Sequence, residues 1–187
     1  MSSEVYISVD VEASGPIPGA YSLLAIGACV VGSTDQNFFV ELKPINERFV
    51  SAAMEVVGAS LEEYRERGLP PEQAMKAFAE WLEGVSKDAT PVFVGFNATF
   101  DWSFVNWYFH TYLKDNPFGI GGIDIKSYYM GLVNCSWADT RSDRIPKKYK
   151  GSSPHTHNAL DDAVEQAEMF KLMLEKAPGK ITAPESE

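Results

Sequence analysis

The chain has 187 residues, of which 22% are charged and 45% apolar, the balance of one soluble globular domain with a hydrophobic core. Its formal net charge of −10 argues against tight, nonspecific binding to duplex phosphate. No apolar stretch is long enough to span a bilayer and no basic-then-apolar leader opens the chain, so a cytoplasmic location is expected. Two cysteines, Cys29 and Cys135, lack metal-site spacing, and Cys29 lies in an apolar run that predicts a buried free thiol.

Residues 5–11 alternate apolar and polar side chains and predict a first strand, followed by a Gly/Pro-rich turn. Residues 23–31 and 37–42 predict a second and third strand, which makes an antiparallel meander. Ser60 caps a short helix to Arg67, and Pro70 or Pro71 starts a longer one to about Val85. A strand over 92–96 leads into a helix over 99–113. On that helix Phe100, Phe104, Trp107, Tyr108 and Thr111 form the expected core stripe, with Asp101 on its flank and Trp102 and Phe109 opposite. A weak strand over 123–125 and a short helix precede a long irregular stretch, 134–156. The last helix spans 159–176 and ends at Pro178-Gly179. This order predicts an α/β fold in which a mixed sheet is flanked by helices, one domain over 1–178 and a frayed tail over 179–187.

Three segments offer carboxylates at the edges of these elements. Asp10 and Glu12 stand two apart on a strand and share a face; a solvent-facing strand edge would do as much, but such a pair also supplies hard oxygen ligands for Mg²⁺ or Mn²⁺. Asp101 falls in the first turn of its helix, where a carboxylate also favours the helix dipole. In His157-Asn158-Ala159-Leu160-Asp161-Asp162, Asn158 is the expected N-cap. Helical phase turns Asp162 toward the sheet and Asp161 toward water, so Asp162 is the expected ligand. Four clustered carboxylates oppose one another's ionisation, and two divalent ions ~4 Å apart would resolve the repulsion. His157, next to the last of them, suits a general base that accepts the proton of an attacking water.

Asp10-x-Glu12, Asn97-x-x-Phe100-Asp101 and His157-x-Ala159-x-x-Asp162 resemble, in order and context, the three motifs of the DEDDh-type (DnaQ-like) 3′–5′ exonucleases. That resemblance covers nearly the whole chain. It implies a ribonuclease H-like fold with a central mixed five-stranded sheet and two-metal hydrolysis, by Mg²⁺ or Mn²⁺, from the 3′ end of single-stranded nucleic acid. It makes Asp10, Glu12, Asp162 and Asp101 the metal ligands and His157 the base. After Glu12 the chain departs from the usual pattern, since Ala13-Ser14-Gly15 stands where many members carry two threonines and a glycine. The resemblance places Ala13 and Ser14 against the terminal nucleotide.

Other contacts are read from residue type. Trp102 is a candidate to stack on a nucleobase or to join a homodimer contact. Lys147 and Lys148, in a basic run that includes Arg141, Arg144 and Lys150, are candidate phosphate guides. Asp124 reads as structural support. RNA is slightly favoured over DNA. Hydrolysis of dinucleotides or other small phosphodiesters, or a non-catalytic nucleic-acid-binding module on the same fold, are the competing readings.

Overall fold

The computed structural model describes residues 3–151 and 158–177. Five strands form one mixed sheet in the order β3-β2-β1-β4-β5: β1 Glu4–Ala13, β2 Leu23–Val30, β3 Ser33–Glu41, β4 Thr90–Gly95 and β5 Gly122–Asp124. The first three make the expected antiparallel meander, and β4 and β5 join parallel to β1. Six helices flank the sheet: α1 Ser51–Val57, α2 Leu61–Arg67, α3 Pro71–Ser86, α4 Thr99–Tyr112, α5 Ile125–Val133 and α6 Ala159–Lys176. Among the described residues, no helix is long and apolar enough to cross a membrane.

Strand β1 divides its side chains between two environments. Ile7, Val9, Val11 and Ala13 enter the larger core, with Phe78 of α3 and Phe104 and Tyr108 of α4. The alternate residues Ser8, Asp10 and Glu12 stand on the opposite face, the one α6 covers. β2 is buried along its whole length, as a strand packed on both faces must be. Cys29 on it is a buried free thiol.

Gly27 sets how close α6 comes. It pairs with Asp10 across the β1–β2 ladder, so the two share a face. A Cβ there would lie 2.1 Å from the backbone carbonyl of Ala159. The missing side chain lets the first turn of α6 rest on the sheet and lowers Asp162 beside Asp10.

Two expectations are corrected. Helix α1 goes unforeseen: Val50 gives it no side-chain cap, none of its residues is buried, and it is closed by Gly58 at φ 70°. Helix α4 is rotated from the expected phase. Asp101, Phe104, Val105, Tyr108 and Phe109 are its buried residues, while Phe100 and Trp107 are only partly covered. Because α4 is apolar nearly all round, its sequence pattern fixes the buried face poorly.

Gly27→Ala is expected to cost about 1–3 kcal/mol in stability, the usual penalty of overpacking, and to weaken Mn²⁺ binding as α6 lifts. Chemical denaturation and metal titration of the same protein check this; a Gly27→Ala protein as stable as the parent would refute the close approach.

Candidate active site

The carboxylates of Asp10, Glu12 and Asp162 each bring an oxygen within 4.8 Å of the others. Two come from one face of β1 and the third from the first turn of α6. The expected choice between adjacent acids holds, with Asp162 buried and Asp161 exposed. Asn158 is the N-cap, its Oδ1 accepting from the amides of Leu160 at 3.0 Å and Asp161 at 3.4 Å.

Asp101 reaches the same cleft from α4. It is 4% exposed, and its Oδ1 accepts from the Val11 amide at 3.1 Å, tying α4 to the strand between Asp10 and Glu12. The cleft has a volume of about 310 Å³; Ala13, Ala53, Val56, Phe96, Asn97 and Phe100 line it around the four carboxylates. Asn97 takes a left-handed conformation, φ 66°, that turns the chain from β4 into α4. Asp124 steadies this turn: its Oδ1 accepts from the Ala98 amide at 3.1 Å, and its Oδ2 caps α5 through the Ser127 amide at 2.9 Å. It is the structural support the sequence suggested.

Gln166 is a site residue that sequence reasoning missed. Its Nε2 donates to Asp10 Oδ1 at 2.6 Å, and its Oε1 accepts from the Phe96 amide at 2.8 Å. The available signal was spacing, since Gln166 lies four residues after Asp162 and so shares its face of α6. Its partner on β1 is 156 positions away.

The other sequence candidates divide. Ala13 lines the cleft. Ser14 does not: it is fully buried, its Oγ donating to the Arg48 carbonyl at 2.8 Å and accepting from the Ser22 amide at 2.9 Å. It stitches the end of β1 to the segment before α1. Trp102 packs edge-on against Phe93, with ring centroids 5.2 Å apart, and against Phe118 at 6.4 Å. That apolar seat packs one side of the indole against the core, and Trp102 stays partly exposed. Lys147 and Lys148 lie on the 3-10 turn Lys147–Tyr149, where Lys148 covers the Tyr149 ring at 4.9 Å. Neither lines the carboxylate cleft. Lys150 does line the adjoining cavity of about 430 Å³, together with Asp162 and Gln166. His157 lies outside the described residues.

The electrostatics suit cations. Burial raises the Asp10 pKa well above its ordinary range, and the charges of Asp101, Glu12 and Asp162 raise it further, against the opposing hydrogen bond from Gln166. Burial and then Asp162 push Glu12 up to about 7. Burial also raises Asp101, opposed by the Val11 amide. Among the described residues no lysine or arginine pairs with Asp10 or Glu12. A set of hard oxygen donors that repel one another fits Mg²⁺ or Mn²⁺.

Fold and site together fit a hydrolase of ribonuclease H-like fold that gathers carboxylates at an open cleft. Among known proteins, the exonuclease family model of the RNase T type matches residues 7–170, and the chain belongs to that family, in its DEDDh branch. The 3′-5′ DNA exonuclease Cap18 of Escherichia coli is 56% identical over 171 residues, 91% of each chain. The nuclease domain of 3′hExo, a DEDDh family member solved bound to rAMP, superposes with a TM-score of 0.72 at 16% identity, over 91% of this chain and 92% of its own. Escherichia coli Exonuclease I in complex with a dA16 oligonucleotide gives 0.65 at 16% identity, over 92% of this chain and 41% of its own. Members of this family generally use divalent metal ions.

The upward carboxylate shifts carry a pH signature. Without metal, the folded chain keeps protons on these groups that the unfolded chain has released. Its stability is therefore expected to fall as pH rises from the unfolded carboxylate range, about 4, through the folded Glu12 value of about 7. Mn²⁺ offsets the repulsion, so the Tm gain on adding it should be larger near pH 8 than near pH 5. Thermal melts with chelator and with Mn²⁺ at both pH values test this, and a gain independent of pH would contradict it.

Proposed function

We propose that this enzyme removes nucleotides from the 3′ end of single-stranded DNA by two-metal hydrolysis, with Mg²⁺ or Mn²⁺ held by Asp10, Glu12, Asp162 and Asp101 and with His157 as general base. The observation that carries the reading is the convergence of three carboxylates within 4.8 Å at an open cleft. DNA replaces the slight preference for RNA because the relative at 56% identity is a DNA exonuclease. The fold does not separate the sugars, since its structural neighbours include a nuclease domain bound to rAMP and one bound to a dA16 oligonucleotide.

When bound, the divalent ions would activate the attacking water and neutralise charge on the departing 3′ oxygen. The chain's own residues do the rest. Asp10 presents its carboxylate in the orientation that Gln166 fixes. Asp101 holds the Asp10–Glu12 strand through the Val11 amide. His157 takes the water's proton, a role suited to a group whose ordinary pKa is near 6.5. Ala13 and the apolar side chains of Ala53, Val56 and Phe100 leave room in the cleft for a sugar and base.

Incubation with Mn²⁺ and 5′-labelled or 3′-labelled single-stranded DNA and RNA, beside Asp10→Ala and His157→Ala, tests the proposal. Stepwise loss from the 3′ end of DNA is expected, abolished by Asp10→Ala and slowed about 10²–10⁴-fold by His157→Ala. Cleavage confined to dinucleotides would favour the small-phosphodiester alternative. Gln166→Leu is expected to weaken Mn²⁺ binding about 10–100-fold, the usual effect of losing a residue that orients a ligand. Unchanged affinity in a calorimetric titration would deny Gln166 that role.

A further inference from the structure

Phe96 lines both the carboxylate cleft and the cavity beside it. Lys126, on the first turn of α5, brings its Nζ 6.0 Å from the Phe96 ring centroid. The same ammonium lies 4.0 Å over the ring of Trp137, in the 3-10 turn Trp137–Thr140. Trp137 is 52% exposed.

Each member of this pair breaks a local rule. A cation in the first turn of a helix opposes the helix dipole, and at Lys126 only the capping carboxylate of Asp124 offsets it. A tryptophan half in water forgoes most of what burial would give it. Broken local rules are expected at functional or strained places, and this pair stands beside Phe96 of the carboxylate cleft.

The elements beneath Lys126 and Phe96 are tied to the catalytic carboxylates, and the turn that carries Trp137 is braced within itself. Asp124, which caps α5 just before Lys126, also holds the Ala98 amide of the turn into α4. Gln166 fixes the Phe96 amide and Asp10 at once. The Trp137 turn is closed by Ser136 Oγ donating to Asp139 Oδ2 at 2.5 Å, and Arg144 donates to the same carboxylate at 3.0 Å. Through Lys126, the indole stands within roughly 10 Å of the Phe96 ring, the reach of two or three nucleotides at stacked spacing.

We infer that Trp137, with Lys126 and Phe96, forms a platform for the incoming strand two or three nucleotides back from its 3′ end. Lys126 covers one face of the indole, a nucleobase stacks on the other, and the ammonium meets the adjoining phosphate. Stacking of this kind accepts any base, so the platform adds grip on a strand without sequence preference. The inference rests on the single-strand reading above and adds to it a dependence on strand length.

Binding of 5′-fluorescein phosphorothioate dT8 and dT2, which resist hydrolysis, is measured by anisotropy with Mn²⁺ present. Trp137→Ala is expected to lower the ratio of dT8 to dT2 affinity by about tenfold, and Trp137→Phe by less than about threefold. Lys126→Ala should flatten the salt dependence of dT8 binding by about one charge. Equal weakening of dT8 and dT2 would assign Trp137 to folding alone, and an unchanged ratio would remove it from the strand path; either overturns the platform. A wild-type protein that cuts single strands but holds dT2 and dT8 equally also overturns it, leaving the exonuclease reading intact. One that cuts no strand overturns the reading beneath it.

Discussion

The first turn of α6 lies so near β2 that a methyl group at Gly27 would meet the Ala159 carbonyl at 2.1 Å, and the geometry of the site follows from that contact. Gly27 is the ladder partner of Asp10, so the point where the helix presses closest is also the point where the strand carries its first carboxylate. Asp162 arrives three residues into the helix, and Gln166 one turn later closes a hydrogen bond back to Asp10. The same approach that positions the ligands brings their charges together. Without a cation the cluster resolves its repulsion by holding protons, which is why burial and mutual charge push these carboxylates upward together. The fold therefore stores an unfavourable arrangement at the site and relies on its large core elsewhere to sustain it.

How much of this could be read from the sequence depended on how local the determining interaction is. Helix α6 was legible to the residue because its signals are adjacent: Asn158 caps it, and the phase of its alanines separates Asp162 from Asp161. The carboxylates of β1 were legible for the same reason, since a period of two puts Asp10 and Glu12 on one face. Helix α1 was not, because it buries nothing and so carries no periodicity to detect. The rotation of α4 was hidden by its apolar girth. The burial of Ser14 was not legible either, because the resemblance marks a segment, whereas the hydrogen bonds that hold it run to Ser22 and Arg48, contacts made only once the chain has folded. Gln166 shows the limit most clearly. Its spacing from Asp162 was visible, but nothing in the sequence joins it to a strand 156 positions earlier.

The net charge of −10 and the basic run before α6 pose a problem for any enzyme of a polyanion. The structure makes the run less basic than it reads. Arg141 pairs with Asp143 at 3.1 Å and Arg144 with Asp139 at 3.0 Å, so two of its five cations already have carboxylate partners. These exposed pairs add little stability, roughly 0–1 kcal/mol each, but they reduce the field a phosphate would meet. Two other lysines lie near the cleft: Lys150 in the adjoining cavity it shares with Asp162, and Lys126 with its ammonium 6.0 Å from the Phe96 ring.

A chain of net charge −10, with no lysine or arginine among the described residues that line the cleft, makes strand affinity depend on what occupies the carboxylates. With the site protonated or empty, the four acids give an incoming phosphate nothing to pair with. Two divalent ions would cancel the charge of the four carboxylates and remove their repulsion of a phosphate, and the strand's phosphates could in turn supply oxygen ligands the protein does not. On the proposed chemistry the two binding events are therefore coupled, and linkage requires the coupling to be mutual: whatever factor the metal adds to strand affinity, the strand adds to metal affinity. Sequence-independent grip from the protein itself is then left to surfaces that need no net charge, of which an exposed aromatic ring is the simplest. A protein with so acidic a surface would hold single strands weakly along their length and firmly only at the end seated in the cleft, which is the discrimination an enzyme acting at chain ends requires.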